Sequence, residues 1–237
     1  YRTGPGQAAG QWYLQAPTNV TKSALNAEAA WARSTGQGVV VAVLDTGVLR
    51  SHLDLDSNIL TGYDFINDIA TANDGSARDN DASEPGDFLS ESEVNDSSSE
   101  FYGGAPNFCS EFDVNRNRYA AVESSWHGTK VSGIIAAKAN NSQGVAGMAH
   151  GARILPVRVL GKCGGFDSDI QAGMRWAAGL EVPGVPSNTT PAKVLNMSLG
   201  SEGSCSNSYG STMSHFAARG TVIVAAACNS TGHAVGT

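Results

Sequence analysis

The 237 residues include 41% hydrophobic and 16% charged side chains, which suffices for the core of one globular domain and does not fit a disordered tail. The net charge of −7 disfavours nucleic acid and anionic membrane surfaces as partners, because neither attracts an acidic protein. The longest purely apolar run covers residues 222–228, whereas a helix that crosses a bilayer needs about 20 apolar residues. Composition therefore predicts a single domain over residues 1–237 without a transmembrane helix.

Helical and extended patterns alternate along the chain. The apolar spacing predicts a short helix over 27–33 and then a strand over 39–44. The later predicted elements are helices over 127–138, 167–180 and 209–219 and strands over 154–160, 194–197 and 222–226. Near-continuous apolar strands separated by helices are typical of an α/β fold in which a parallel sheet is covered on both faces.

One segment departs from this alternation by its charge. Residues 67–100 contain ten of the 22 acidic residues and a single basic residue, Arg78, together with several Gly, Pro and Ser residues. This composition predicts a long polar loop, and loops of such length tend to be functional. We define the acidic insertion as about residues 67–118.

The first residue is Tyr1 rather than Met, and no apolar signal segment follows it, so we expect a mature secreted form from which a leader was removed. The four cysteines are Cys109, Cys163, Cys205 and Cys228, and they form no Cys-x-x-Cys pair. This spacing disfavours a zinc knuckle and favours disulfides in an oxidising, extracellular compartment.

Three polar residues stand where parallel sheets gather catalytic groups, just beyond the carboxyl ends of strands. Asp45 ends the first strong strand, His127 begins a helix, and Asn229 follows the last strand. Each residue alone is compatible with a helix cap or a turn. Asp45 in Asp-Thr-Gly is also similar to the aspartic-protease signature, but that chemistry needs two carboxylates and the sequence contains a single Asp-Thr-Gly.

Taken together, these residues and their order resemble the subtilisin-like serine proteases. His127 lies in His-Gly-Thr-Lys-Val-Ser-Gly, which is quite specific, and residues 196–200, Asn-Met-Ser-Leu-Gly, are similar to the strand that pairs with substrate in that family. The acidic segment 78–87 is similar to that of secreted Gram-negative members. The resemblance implies a three-layer, doubly wound, mostly parallel α/β fold and serine endopeptidase activity on protein or peptide substrates.

The resemblance also implies a role for each site residue. Asp45 would accept a hydrogen bond from His127, which would take and return a proton near neutral pH. Asn229 would donate its side-chain amide to the oxyanion. The substrate backbone would add as a strand beside 198–200, with the opposite edge from the glycines after the 154–160 strand. The residues implied to bind substrate are Ser198, Leu199, Gly200, Gly164, Gly165, Ala226 and Ala227.

Calcium and one disulfide are further implications of the resemblance. A structural calcium ion would be held by a carboxylate, an Asn side chain and main-chain carbonyls, although a solvated turn is the alternative interpretation. The implied ligands are Asp54, Ala139, Asn141, Gln143 and Val145 in this site, with Asp79 and Asp81 in a second site. The resembling subgroup implies a bridge between Cys109 and Cys163.

The sequence departs from the family at the nucleophile. The family places this serine in a Gly-Thr-Ser-Met-Ala segment beyond the oxyanion Asn, and no such segment occurs in the 237 residues. We therefore expect a catalytic domain truncated at its C-terminus, inactive alone and monomeric when complete, with Ser198 and Ser230 as the nearest alternative nucleophiles. The rival interpretation is an inactive, calcium-stabilised peptide-binding module.

Overall fold

A computed structural model describes residues 10–105, 109–200 and 207–227. The strands in these ranges are β1 (Val40–Asp45), β2 (Tyr63–Asp64), β3 (Phe112–Asp113), β4 (Arg118–Tyr119), β5 (Arg153–Arg158), β6 (Val194–Met197) and β7 (Val222–Ala225). The α-helices are α1 (Ala27–Trp31), α2 (Ile69–Ala72), α3 (Glu91–Asn95), α4 (His127–Ala136), α5 (Asp167–Ala177) and α6 (Asn207–Ala218). Short 3-10 turns occur at Trp12–Leu14 and Asp56–Asn58. None of the helices in the described ranges is long and apolar enough to span a membrane.

Five strands form one sheet in the spatial order β2-β5-β1-β6-β7. Every neighbouring pair in this sheet is parallel, so the predicted parallel sheet is confirmed and its strands end at one common edge. β1 lies in the middle because it pairs with β5 on one side and with β6 on the other. The register places Asp45 opposite Arg158 at this edge.

Helices cover both faces of the sheet. Ala42 and Leu44 of β1 belong to the core that lies under α5 and α6, whereas Val41 and Val43 belong to a second core under α4. The two faces alternate along the strand because successive side chains of a β-strand point in opposite directions. This arrangement confirms the predicted α/β fold.

The observed bounds differ from the predicted bounds for identifiable reasons. α4 stops at Ala136, two residues before the predicted end, because Ala137 adopts an extended ψ of 143°. β5 ends at Arg158 because the amides of Val159 and Leu160 both donate to the carbonyl of Asp45. β5 therefore ends beside Asp45, the last residue of β1, whose carbonyl accepts both hydrogen bonds.

The acidic insertion is more ordered than its composition predicts. The part predicted as a long polar loop contains the short helices α2 and α3, and the antiparallel pair of β3 and β4 follows it. α3 begins with a capping box, in which the Ser90 hydroxyl accepts from the Glu93 amide and the Glu93 carboxylate accepts from the Ser90 amide. Leu89, Val94 and Phe101 form a small core of their own inside the insertion.

A disulfide joins the acidic insertion to the loop that follows β5. Cys109 and Cys163 are bonded, with their Cα atoms 5.5 Å apart, which is an ordinary separation for a bridge. Cys205 and Cys228 lie outside the described residues.

Candidate active site

Asp45 and His127 form a hydrogen-bonded pair at the carboxyl end of β1. His127 Nδ1 lies 2.8 Å from Asp45 Oδ1 and 2.9 Å from Oδ2. The Asp45 side chain is fully buried, whereas 44% of the His127 side chain is exposed. Because an acceptor faces Nδ1, this nitrogen carries the proton in the neutral ring, and Nε2 is the nitrogen that can accept one.

The environment of Asp45 combines burial with several donors. Burial raises the pKa of Asp45, and hydrogen bonds from His127 and Thr46 oppose this rise. The Thr46 amide donates to Asp45 Oδ1 at 2.8 Å. The backbone of Asp45 is held as well, because its carbonyl accepts from Val159 at 2.9 Å and from Leu160 at 3.2 Å. The carboxylate is therefore fixed in position before any substrate binds.

His127 is placed by an unusual start of α4. Trp126, which precedes it, adopts a left-handed conformation with φ of 50° and supplies no side-chain cap. The His127 amide instead donates to the Ser125 hydroxyl at 3.2 Å. Ser125 is held by Asp87, whose carboxylate accepts from the Ser125 amide at 2.6 Å and from its hydroxyl at 2.7 Å. The acidic insertion thus helps to orient the start of the histidine helix.

A second buried carboxylate, which sequence reasoning missed, lies beside the pair. Glu84 is 4% exposed, and it accepts hydrogen bonds from the hydroxyls of Thr46 and Thr129 and, at 3.2 Å, from the Thr129 amide. The Thr46 hydroxyl accepts from the Gly128 amide at 2.9 Å, and the Thr129 hydroxyl accepts from the Leu49 amide at 2.8 Å. Thr46 lies in the Asp-Thr-Gly motif and Thr129 in the His-Gly-Thr motif. No sequence pattern, however, distinguishes Glu84 from the other carboxylates of the acidic insertion.

The segments predicted to bind substrate lie on opposite sides of Asp45. Residues 198–200 follow β6, and Gly164 and Gly165 lie in the loop after β5. β5 and β6 are the two neighbours of β1, so both segments reach the edge at which Asp45 lies. Gly164 has a φ of +111°, a conformation that favours glycine, and its carbonyl accepts from the Gly161 amide at 2.7 Å.

The remaining predicted site residues lie at or beyond the end of β7. Ala226 and Ala227 directly follow this strand and are exposed, and the Ala226 amide donates to the Met197 carbonyl at 3.0 Å. Asn229, the predicted oxyanion donor, and Ser230 lie outside the described residues.

The first predicted calcium site centres on Asp54, which is 2% exposed. Its Oδ1 accepts from Asn141 Nδ2 at 2.6 Å, and its Oδ2 accepts from the Val145 amide at 2.8 Å. The Gln143 amide in turn donates to Asn141 Oδ1 at 3.2 Å, and Ala139 packs beside a small neighbouring core. The predicted residues therefore do lie together around a buried carboxylate. No ion pair among the described residues includes Asp54.

Asp79 and Asp81, predicted for a second calcium site, close local turns. Asp79 Oδ1 accepts from the Asp81 amide at 2.7 Å, and Asp81 Oδ1 accepts from the Ser83 amide at 3.0 Å. In the ranges that the structure covers, no group of three or more His, Cys, Asp or Glu is placed to hold a metal ion. The second calcium site stays a prediction.

A buried arginine ties the acidic insertion to the sheet near the pair. Arg158, at the end of β5, is 1% exposed. Its guanidinium forms ion pairs with Asp64 and, at 2.7 Å, with Asp74, and it donates to the carbonyls of Ala72 and, at 3.2 Å, of Thr46. Arg158 thus connects β5 with β2, with the segment that follows β1 and with the acidic insertion.

Comparison with known proteins places this fold in the class of subtilisin-like proteases. A solved structure of proteases from Pseudoalteromonas arctica is 47% identical, superposes with a TM-score of 0.73, and is matched over 86% of this chain and 53% of that one. Residues 36–237 match the Subtilase family, and the chain belongs to this family.

Two curated relatives have the same level of identity. The "Extracellular protease" of Xanthomonas campestris pv. campestris is 47% identical over 209 residues, which are 88% of this chain and 32% of that protein. The "Extracellular basic protease" of Dichelobacter nodosus is 47% identical over 206 residues, which are 86% of this chain and 31% of that protein. The chain therefore spans about a third of the length of these relatives.

Proposed function

We propose that this chain forms the acid–base part of a secreted serine endopeptidase that cleaves protein or peptide substrates. The observation that carries the proposal is the contact of 2.8 Å between buried Asp45 and half-exposed His127. The names of the relatives support an extracellular protease. In this proposal residues 1–237 belong to a single catalytic domain, with the acidic insertion as part of it.

The chemistry follows from the two protonation sites of His127. Nε2 takes the proton from a serine hydroxyl as its oxygen attacks the peptide carbonyl, and the ring then gives this proton to the leaving amine. Asp45 stays ionised and stabilises the imidazolium, while Asn229 donates to the oxyanion. The attacking hydroxyl would come from a Gly-Thr-Ser-Met-Ala segment, since acyl transfer by this route requires a nucleophile.

Substrate would bind as an extended strand across the edge of the sheet. Residues 198–200 would pair with its backbone on one side and Gly164 and Gly165 on the other, a mode in which main-chain hydrogen bonds supply affinity. Ala226 and Ala227 would line the pocket for one substrate side chain. Small residues at these positions leave room for a side chain from the substrate.

The experiment compares the 237-residue chain with a form extended through a Gly-Thr-Ser-Met-Ala segment, using a fluorophosphonate probe and a chromogenic peptide. We expect the extended form to be labelled and to hydrolyse the peptide, and the 237-residue chain to do neither. Asp45→Asn should lower kcat of the extended form by as much as about 10⁴-fold, because it leaves His127 in the wrong tautomer. Asp113→Asn, at the end of β3 and outside the candidate site, is the matched control and should leave kcat unchanged.

Two results would contradict the proposal. An extended wild-type form that neither reacts with the probe nor cleaves the peptide would favour a peptide-binding module. Stoichiometric labelling of the 237-residue chain, lost on His127→Ala, would instead place the nucleophile on a serine of this chain, such as Ser198 or Ser230.

The proposal includes a structural calcium ion at Asp54. In the described part of the chain the Asp54 carboxylate accepts from neutral groups, the Asn141 amide nitrogen and the Val145 backbone amide, and forms no ion pair, which favours a cation beside it. Carboxylate and amide oxygens are ligands that calcium prefers. Asp54 and Asn141 would bind it through side chains, and Ala139, Gln143 and Val145 through carbonyls. A ligand that binds only the folded state raises the melting temperature, so a chelator should lower it in the wild type and have no effect on Asp54→Asn. Equal melting curves in chelator and in millimolar calcium would exclude the site.

A further inference from the structure

We propose that Glu84 is a positioning residue for the Asp45–His127 pair. Through Thr46 and Thr129 it fastens the first turn of α4 to the end of β1, and it thereby sets the distance and angle between the two side chains. The effect on turnover rests on the proposed function, whereas the effect on the geometry of the pair does not.

Two amides at the start of α4 have their acceptors in other segments of the chain. The first N–H groups of a helix have no partner inside the helix and need an external acceptor. Trp126 supplies none at this helix. The Gly128 amide donates to the Thr46 hydroxyl instead, and the Thr129 amide donates to Glu84. The helix that carries His127 is therefore capped by Thr46, which directly follows β1, and by Glu84 of the acidic insertion, so its position depends on both segments.

The hydroxyls of Thr46 and Thr129 both donate to Glu84. The Thr46 hydroxyl already accepts from the Gly128 amide, and the Thr129 hydroxyl already accepts from the Leu49 amide. Each hydroxyl therefore directs its own proton to Glu84, and both carboxylate oxygens act as acceptors. A carboxylate can accept at both oxygens, whereas the amide of Gln can accept only at one. The network thus requires Glu and not merely a side chain of that size.

The backbone beside Glu84 is held close to the end of β1. The Val48 amide donates to the Ala82 carbonyl at 3.1 Å, and Val48 and Ser83 form a parallel bridge, so the backbone beside Glu84 is fixed next to β1. Burial raises the pKa of Glu84, and the hydrogen bonds from Thr129 and Thr46 oppose this rise. Burying a carboxylate costs free energy. Glu84 contacts Thr46, which is next to Asp45, and Thr129, which is close to His127.

These contacts connect the same two segments that the Asp45–His127 pair connects. Thr46 directly follows Asp45, and Thr129 comes two residues after His127. Weakening the network at Glu84 therefore lets α4 move relative to β1, and a displacement of about 1 Å at a reacting pair costs as much as 10²-fold in rate.

The first test measures the geometry of the pair by proton NMR on the 237-residue chain. An imidazole N–H that donates to a carboxylate resonates far downfield, so the Nδ1 proton of His127 reports the contact with Asp45. We expect Glu84→Gln to shift this resonance upfield or broaden it beyond detection. Glu91→Gln, which removes an exposed carboxylate of the same insertion, is the matched control and should leave the resonance unchanged.

The second test uses the extended form described above. Glu84→Gln should lower kcat by at least about tenfold and change KM by less than about twofold, because positioning acts on the reacting groups rather than on substrate binding. Thr129→Val should give the same pattern, and Thr129→Ser, which keeps the hydroxyl, should restore kcat. This pair of threonine variants decides the question if Glu84→Gln does not fold.

The outcomes separate this inference from the proposed function. An inactive extended wild type contradicts the proposed function, and the NMR comparison then decides the role of Glu84 by itself. If Glu84→Gln lowers only the melting temperature and keeps both the downfield resonance and kcat, Glu84 is an ordinary helix cap and the inference is wrong. Equal kcat in Thr129→Val and Thr129→Ser would overturn it in the same way.

Discussion

The Cα atom of Gly128 lies directly against the carbonyl oxygen of Gly47, so that a Cβ built on Gly128 would overlap this oxygen. Gly47 comes two residues after Asp45, and Gly128 directly follows His127. Backbone contact therefore joins the two segments that carry the pair. A Cβ at Gly133, on the same helix, would instead meet open space.

This contrast gives a matched pair of variants on one helix. Gly128→Ala should destabilise the protein by about 1–3 kcal/mol, because the added methyl group forces α4 away from β1. Gly133→Ala should stabilise it by up to about 1 kcal/mol, because alanine is the better helix former and nothing opposes its methyl group. Urea unfolding of both variants measures the two free energies. If Gly128→Ala and Gly133→Ala both raise the free energy of unfolding by the same amount, the close approach of Gly128 to Gly47 does not limit the side chain at position 128.

Reduction of the Cys109–Cys163 bridge should destabilise the protein. The bridge closes a loop with a sequence separation of 54, and the chain-entropy relation for a loop of this length gives about 4 kcal/mol. The double variant Cys109→Ser/Cys163→Ser should lose a similar amount, and a reducing agent should then change its melting temperature less than it changes that of the wild type. A wild-type melting temperature that does not change on reduction would contradict this expectation.

Glu93 should make stability depend on pH in the acidic range. Burial raises its pKa, but hydrogen bonds from Lys162 and Ser90 outweigh burial and lower it to about 2 from an ordinary value of 4.5. Because the folded-state pKa is the lower one, the stabilising contribution is present above pH 4.5 and is lost as the pH falls toward 2. Glu93→Gln should therefore melt at a lower temperature near neutral pH and show a smaller loss in this interval. If the wild type and Glu93→Gln give parallel curves of melting temperature against pH, Glu93 is not the source of this pH dependence.

Arg158 should be more important to stability than any exposed ion pair. Arg158→Met leaves Asp64, which is fully buried, without its positive partner, and breaking a buried pair in this way costs about 3–5 kcal/mol. Asp64→Asn added to Arg158→Met should recover part of this loss, because it removes the unpaired charge. Arg116→Met, at an arginine whose side chain is 64% exposed, should change the free energy of unfolding by less than about 1 kcal/mol. Additive effects of the two substitutions at Arg158 and Asp64 would argue against their coupling.

The long elements could be predicted from the sequence because their patterns are strong. The run of Val, Ala and Leu in β1 and the apolar spacing of α4 and α5 each determine one type of element. β2 has only two residues, Tyr63 and Asp64, and its pairing with β5 decides its conformation. The capping-box signature of Ser90 and Glu93 was present in the sequence, but the helix that follows is too short to show a period.

Asp45 and His127 could be predicted because they occur in motifs with a fixed order. Glu84 could not, since its importance comes from contacts with Thr46 and Thr129, which are 38 and 45 residues away along the chain. The order of the strands in the sheet is equally invisible in the sequence, because local periodicity carries no information about which strands pair.

The central position of β1 has a consequence for how the protein is made. Its two neighbours, β5 and β6, begin at Arg153 and Val194, so β1 leaves the ribosome long before either partner exists. At synthesis rates of roughly 5–20 residues per second, this apolar strand stays unpaired for on the order of 10 s. Pairings between such distant segments also form slowly. The nascent chain therefore needs protection from aggregation, and the Asp45–His127 pair can align only after most of the described sheet has been synthesised.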